Sequence, residues 1–167
     1  MPEQEKLYSS KIKYDGIFNF SAFYKFCYEW LNEEAGLDME ESKYEEKIAG
    51  EVKNLQVEWK GTKKLTDYFK SEIKVSFRIT GLSNIEISRD GIKEKTNKGS
   101  VEIKVGGVII KDYQGKFETN ALNKFLRSIY EKWVIPMRID QQEDGVIGKC
   151  NEFLDQAKAY LDLEGRT

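Results

Sequence analysis

Between Phe69 and Ile79 the segment FKSEIKVSFRI places Phe69, Ile73, Val75, Phe77 and Ile79 on one side and Glu72, Lys74, Ser76 and Arg78 on the other. Successive side chains of an extended chain point to opposite faces, so this is a strand with one dry and one wet side. A sheet built from such strands needs something to lie on its apolar face. The chain supplies an obvious cover in YDGIFNFSAFYKFCYEWL, Tyr14 to Leu31, which holds eight of the twenty-one aromatic residues. Wound as a helix, Phe23, Tyr24, Phe26, Cys27, Tyr28, Trp30 and Leu31 fill an arc of about 200°, against roughly 100° for an ordinary surface helix. A helix so broadly apolar must be gripped from more than one side.

The punctuation agrees. A first strand in LYSSKIKYDG ends at Gly16, Asn19 or Ser21 caps the helix, and Gly36 stops it. The acidic stretch Glu33–Lys47 reads as a loop. Tyr44, Ile48 and Val52 then share one parity while Leu55, Val57 and Trp59 share the other, which predicts a β-bulge near Lys53–Asn54, with a turn as the alternative. Gly81 and Asn84 bend the next strand, and Asp90-Gly91 is a two-residue hairpin turn. The run NKGS (97–100) marks a further turn or bulge. Gly106-Gly107 should flip the buried parity of the last strand. From Thr119 the period turns helical, with Leu122, Phe125, Leu126, Ile129 and Trp133 on one stripe, until Pro136 ends or kinks that helix. A final helix over 137–163 contains Gly145 and Gly148, so its first turns should be irregular.

The expected architecture is a single α+β domain over residues 1–167, with residues 1–9 as a disordered arm. A curled antiparallel β-meander wraps the long aromatic-rich helix and is closed by two C-terminal amphipathic helices. The strand–helix–meander order is similar to that of cystatin-like folds, and a curled sheet closed by a C-terminal helix is similar in shape to START-like lipid-binding folds. These likenesses are of shape alone, and fold does not fix function.

Composition narrows the chemistry. At 167 residues a chain buries a sizeable core without disulfides. No apolar run reaches the roughly 20 residues of a membrane helix, and the first residues lack a secretory apolar region, so a cytoplasmic protein without a membrane span is expected. The chain has no histidine, which removes the commonest general base, the Ser-His and Cys-His pairs and the commonest zinc ligand. Its two cysteines, Cys27 and Cys150, fall on apolar helical stripes and read as buried free thiols. The acidic run DMEESKYEEK lacks the glycine and ligand spacing of a calcium loop, and KVGGVI and KGTKKL lack that of a phosphate loop. Neither a metal nor a cofactor is expected.

Charge is unevenly placed. Residues 29–58 carry ten acidic and three basic side chains, and residues 60–116 carry thirteen basic and seven acidic. Signs alternate along the basic strands and the pI is near 5.5, which argues against nucleic acid as a partner. Without a catalytic motif, the leading expectation is a non-enzymatic interaction or scaffold module that binds itself or another protein. Val146, Ile147, Phe153, Leu154, Tyr160 and Leu161, spaced by sevens on the last helix, form the candidate self-association seam. The alternative is a carrier of an apolar small molecule in a helix-grip-like cavity lined by Phe18, Phe20, Phe23, Trp30, Phe77 and Trp133.

Overall fold

A computed structural model of the chain describes residues 3–66, 69–111 and 136–164. Strand β1 (Glu3–Phe18) leads into helix α1 (Phe20–Glu29), which continues as a π-helical turn over Trp30–Glu34. Strands β2 (Asp38–Ala49), β3 (Val52–Lys64), β4 (Phe69–Arg89) and β5 (Ile92–Lys111) follow, and helix α2 (Pro136–Glu164) comes last. The fold is α+β, with five antiparallel strands in one sheet plus two helices among the described residues. No helix there is long and apolar enough to cross a membrane.

The strand order β1-β5-β4-β3-β2 puts β1 and β2 on opposite edges. The segment joining them must therefore traverse the whole sheet, a span of about 19 Å for four inter-strand gaps. Fifteen helical residues, 20–34, extend about 22 Å, so the helix is as long as the crossing requires. Both of its ends are secured. Asn19 Oδ1 accepts from the Ala22 amide at 3.0 Å, and Asn97 Oδ1 of β5 accepts from the Phe20 amide at 3.0 Å. At the far end the Ala35 amide donates to the Trp30 carbonyl and the Leu37 amide to the Leu31 carbonyl, both at 3.0 Å. Gly36, at φ +69°, supplies the left-handed residue this closure demands.

One face of the sheet is dry. Leu55, Val57 and Trp59 of β3, Ile73, Val75, Phe77 and Ile79 of β4, and Val101, Ile103 and Val105 of β5 are buried together with Phe23 and Cys27 of α1. Helix α2 adds Val146, Cys150, Phe153, Leu154, Ala157 and Leu161 to the same cluster. It packs on β1 and β5 and lies beside α1, where Tyr160 stacks on Phe26 at 4.7 Å.

Several local expectations change. β1 begins at Glu3, paired with Lys111, so residues 3–9 extend the sheet instead of forming an arm. The acidic segment from Asp38 is not a loop but the edge strand β2. Being exposed on both faces, it has no alternation by which to recognise it. The parity change after Val52 has two sources, a turn at Gly50-Glu51 and a bulge between Lys53 and Leu55. Asn54 Oδ1 accepts from the Gly81 amide at 2.8 Å, locking that bulge to one on β4 between Thr80 and Ser83. Residues 97–100 make no turn, and β5 runs through them, but the alternative of a bulge is met: the register against β4 shifts between Ser100 and Lys98. The parity does not flip at Gly106-Gly107 either, because Val101, Val105, Gly107 and Ile109 are buried on one side. Gly107 instead makes room for α2: a Cβ there would lie 2.9 Å from Cys150 Sγ. Helix α2 is described over Pro136–Glu164 and stays regular through Gly145 and Gly148. The helix expected over 119–133 lies outside the described residues.

Candidate functional site

The residues expected to line an apolar cavity are largely brought together, and they fill the space between them. Phe18, Phe23 and Phe77 are at most 2% exposed. Phe23 meets Phe18 edge to face at 6.0 Å and Phe77 edge to face at 6.3 Å. Trp59 joins the lattice against Phe77 at 4.7 Å, Tyr24 at 4.9 Å and Tyr28 at 5.4 Å. Trp30 tilts against Phe153 at 5.8 Å, and Phe20 is half-buried beside Tyr24. Edge-to-face packing sets the positive edge of one ring on the negative face of the next, adding about 0.5–1.5 kcal/mol per pair to area burial. Trp133 lies outside the described residues.

The seam expected on the last helix divides in two. Val146, Phe153, Leu154 and Leu161 are buried in the chain's own core, whereas Ile147 and Tyr160 are half-buried. Tyr160 is further occupied by its stacking on Phe26 and its contact with Phe23 at 5.6 Å. The thiols are spent in the same way. Both cysteines are free and buried; burial pushes Cys150 up to about 12 and Cys27 well above the ordinary thiol value. Neither supplies a thiolate near neutral pH. Among the described residues no cluster of His, Cys, Asp or Glu could hold a metal ion.

Among the described residues, three of the five exposed large apolar side chains gather at the β2 edge, with Ile92 and Leu163 lying elsewhere. Twelve residues long, β2 is exposed over nearly its whole length, and no described strand pairs with its outer side. Tyr44 is 45% exposed, Ile48 74% and, across the turn, Val52 38%. In the sequence these three show only as a spacing of four, the mark of one face of a strand. A polar relay fastens the strand to α1: Trp59 Nε1 donates to Tyr24 Oη at 3.3 Å, and Tyr24 donates to Glu41 of β2. Tyr44 rests edge to face on Tyr24 at 6.5 Å.

Burial first, and then the hydrogen bond it donates to the Glu41 carboxylate, push Tyr24 up to about 12 from an ordinary 10.0. The folded state therefore holds this proton more tightly than the unfolded chain. Its stabilising contribution is complete below pH 10.0 and is lost as the pH rises toward about 12. In an alkaline titration followed by tyrosinate absorbance, a late component should be present in the parent and missing from Tyr24→Phe. Identical curves would mean that another tyrosine titrates last.

The other face of the sheet is wet and dominated by lysine. Lys6, Ser9, Lys60, Lys74, Ser76, Lys104 and Gly106 border a hollow of about 580 Å³. No protein-family model matches the chain, and no curated protein matches it.

Proposed function

We propose that this chain is a non-enzymatic interaction module of the cytoplasm that self-associates by strand addition at β2. In this reading the sheet curls around α1, and the C-terminal helical region closes the open side. The observation that carries it is the exposed edge strand β2 with Tyr44 and Ile48 uncovered. The opposite edge is less available, since α2 packs against β1 and leaves Leu7, Tyr8 and Ile12 partly buried on the core. Main-chain pairing supplies affinity in strand addition, and side chains set the register.

Charge suggests that register. Edge strands are blunted by charged residues, and β2 carries Asp38, Glu40, Glu41, Glu45 and Glu46. Two copies paired antiparallel about Tyr44 place Lys43 of each opposite Glu45 of the other and set the two Tyr44 rings side by side. Opposite charges facing across strands stabilise pairing, so this alignment turns part of the repulsion into attraction. The buried unpaired thiols fit a reducing compartment. The ring lattice of the core argues against an apolar carrier, because the space such a ligand would take is filled by Phe18, Phe23 and Phe77.

Native mass spectrometry tests the reading. The parent should appear at twice 19.4 kDa. Ile48→Glu, at an exposed position where folding costs little, should weaken the dimer by at least about tenfold. Leu163→Glu, exposed on α2, should leave it intact. A parent that stays monomeric, or a dimer untouched by Ile48→Glu, would overturn the proposal.

A further inference from the structure

The wet face of the sheet contains an arrangement that costs stability unless something binds it. The register sets Lys60 of β3 directly opposite Lys74 of β4, and Lys11 of β1 directly opposite Lys104 of β5. Like charges directly opposed across strands are destabilising. Nearby carboxylates relieve only the outer member of each pair. Lys60 meets Glu72 at 3.2 Å and Lys11 meets Glu102 at 4.0 Å. The inner members, Lys74 and Lys104, make no ion pair with a described residue, and neither does Lys6 at the border of the same hollow.

The floor between them is open. Lys74 is opposite Gly106, and Ser76 is opposite Lys104, so the two lysines stand on one diagonal with serine and glycine on the other. Diagonal neighbours of this kind lie about 7–8 Å apart, within reach of two flexible ammonium arms closing on one ligand. At Gly106 even a built Cβ would meet only the Tyr8 carbonyl, at 3.8 Å, so nothing rises from the floor. The hydroxyls of Ser9 and Ser76 make no hydrogen bond to a described residue. The hollow of about 580 Å³ is the size of a small-molecule site.

We propose that this hollow binds a compact polyanion, a small molecule bearing two or more phosphate groups, held by Lys6, Lys74 and Lys104 with Ser9 and Ser76 as donors. Lysine binds phosphate as a point charge, whereas planar carboxylates are matched by the arginine fork, and no described arginine lines this hollow. The surroundings select a small ligand over a nucleic-acid strand. Glu58 lines the hollow, Glu40 sits opposite Lys60, and Glu102 follows Lys104 along the same face. This carboxylate border repels a long phosphate backbone while leaving the central lysines free.

The test is thermal unfolding with inorganic tripolyphosphate as the probe. The parent melting temperature should stay flat while the probe is scarce and then climb with the logarithm of its concentration, as it does when a ligand binds only the folded state. Lys74→Gln/Lys104→Gln should weaken binding by roughly tenfold or more. Lys93→Gln/Lys95→Gln, two lysines on the distal part of β5, should bind as the parent does. Without the probe, the Lys74/Lys104 variant should melt no lower than the parent, because it relieves two like-charge contacts. No concentration-dependent shift in the parent, an equal loss in both variants, or a lower unliganded melting temperature for Lys74→Gln/Lys104→Gln would each overturn the proposal.

Discussion

Trp59→Ala is expected to destabilise the protein by about 3–5 kcal/mol, the largest effect of any single truncation proposed for this chain. Trp59 is 1% exposed and touches the rings of Tyr24, Tyr28 and Phe77. Removing it deletes a large apolar surface from water-free contact, opens a cavity bounded by rigid rings, and takes away the donor of the Tyr24 hydrogen bond. The strands beneath cannot collapse into the gap, because hydrogen bonds to both neighbours fix β3 in place. Urea unfolding followed by circular dichroism should show a lower midpoint at an unchanged slope. A loss below about 1 kcal/mol would mean that the ring lattice is loosely packed, and it would restore the apolar-ligand reading of the core.

The second large effect is expected at Gly107. A Cβ there would meet Cys150 Sγ at 2.9 Å and Val146 Cγ1 at 3.2 Å, both short side chains anchored on α2. Neither can swing aside, so Gly107→Val must push the helix off the sheet. Overpacking of this kind costs about 1–3 kcal/mol, and more where a whole element must shift. Pairing Gly107→Val with Cys150→Ala should recover part of the loss, a non-additivity diagnostic of direct contact. Gly106→Val should cost far less, since its side chain points to the open face. Equal costs at the two adjacent glycines would show that α2 does not dock as described.

That contrast explains which parts of the architecture were readable beforehand. Alternation identified β4 because Ile73, Val75 and Phe77 face helices while Lys74, Ser76 and Arg78 face water. The wide arc of α1 foretold a helix held on two sides, by the sheet through Phe77 and by α2 through Tyr160. Asn19, Gly36 and Asp90-Gly91 act as cap, stop and turn, with Asp90 and Gly91 at φ +52° and +79°. Edge strands were harder. β2 buries so little that hydrophobic periodicity, the main local signal, is absent from it. The double glycine at 106–107 was misread because a close approach between helix and strand leaves the same mark in a sequence as a bend. The lysine hollow was hidden for another reason. Interleaved signs along each strand look neutral until the register sets Lys60 beside Lys74 and Lys11 beside Lys104.

The placement of β1 next to β5 also bears on how the chain reaches its fold. Phe18 pairs with Asn97 and Glu3 with Lys111, so nearly the whole meander must be made before the first strand has a partner. At about 5–20 residues per second, β1 and the aromatic helix behind it leave the ribosome several seconds ahead of β5. Local hairpins can zip in the meantime, but closure of the far edge waits on the most distant contacts in the sheet, which are the slow ones. During that interval the most aromatic segment of the protein has no sheet to cover. The step at which this protein is most exposed to misassembly is thus set by strand order, and it falls just before synthesis reaches α2.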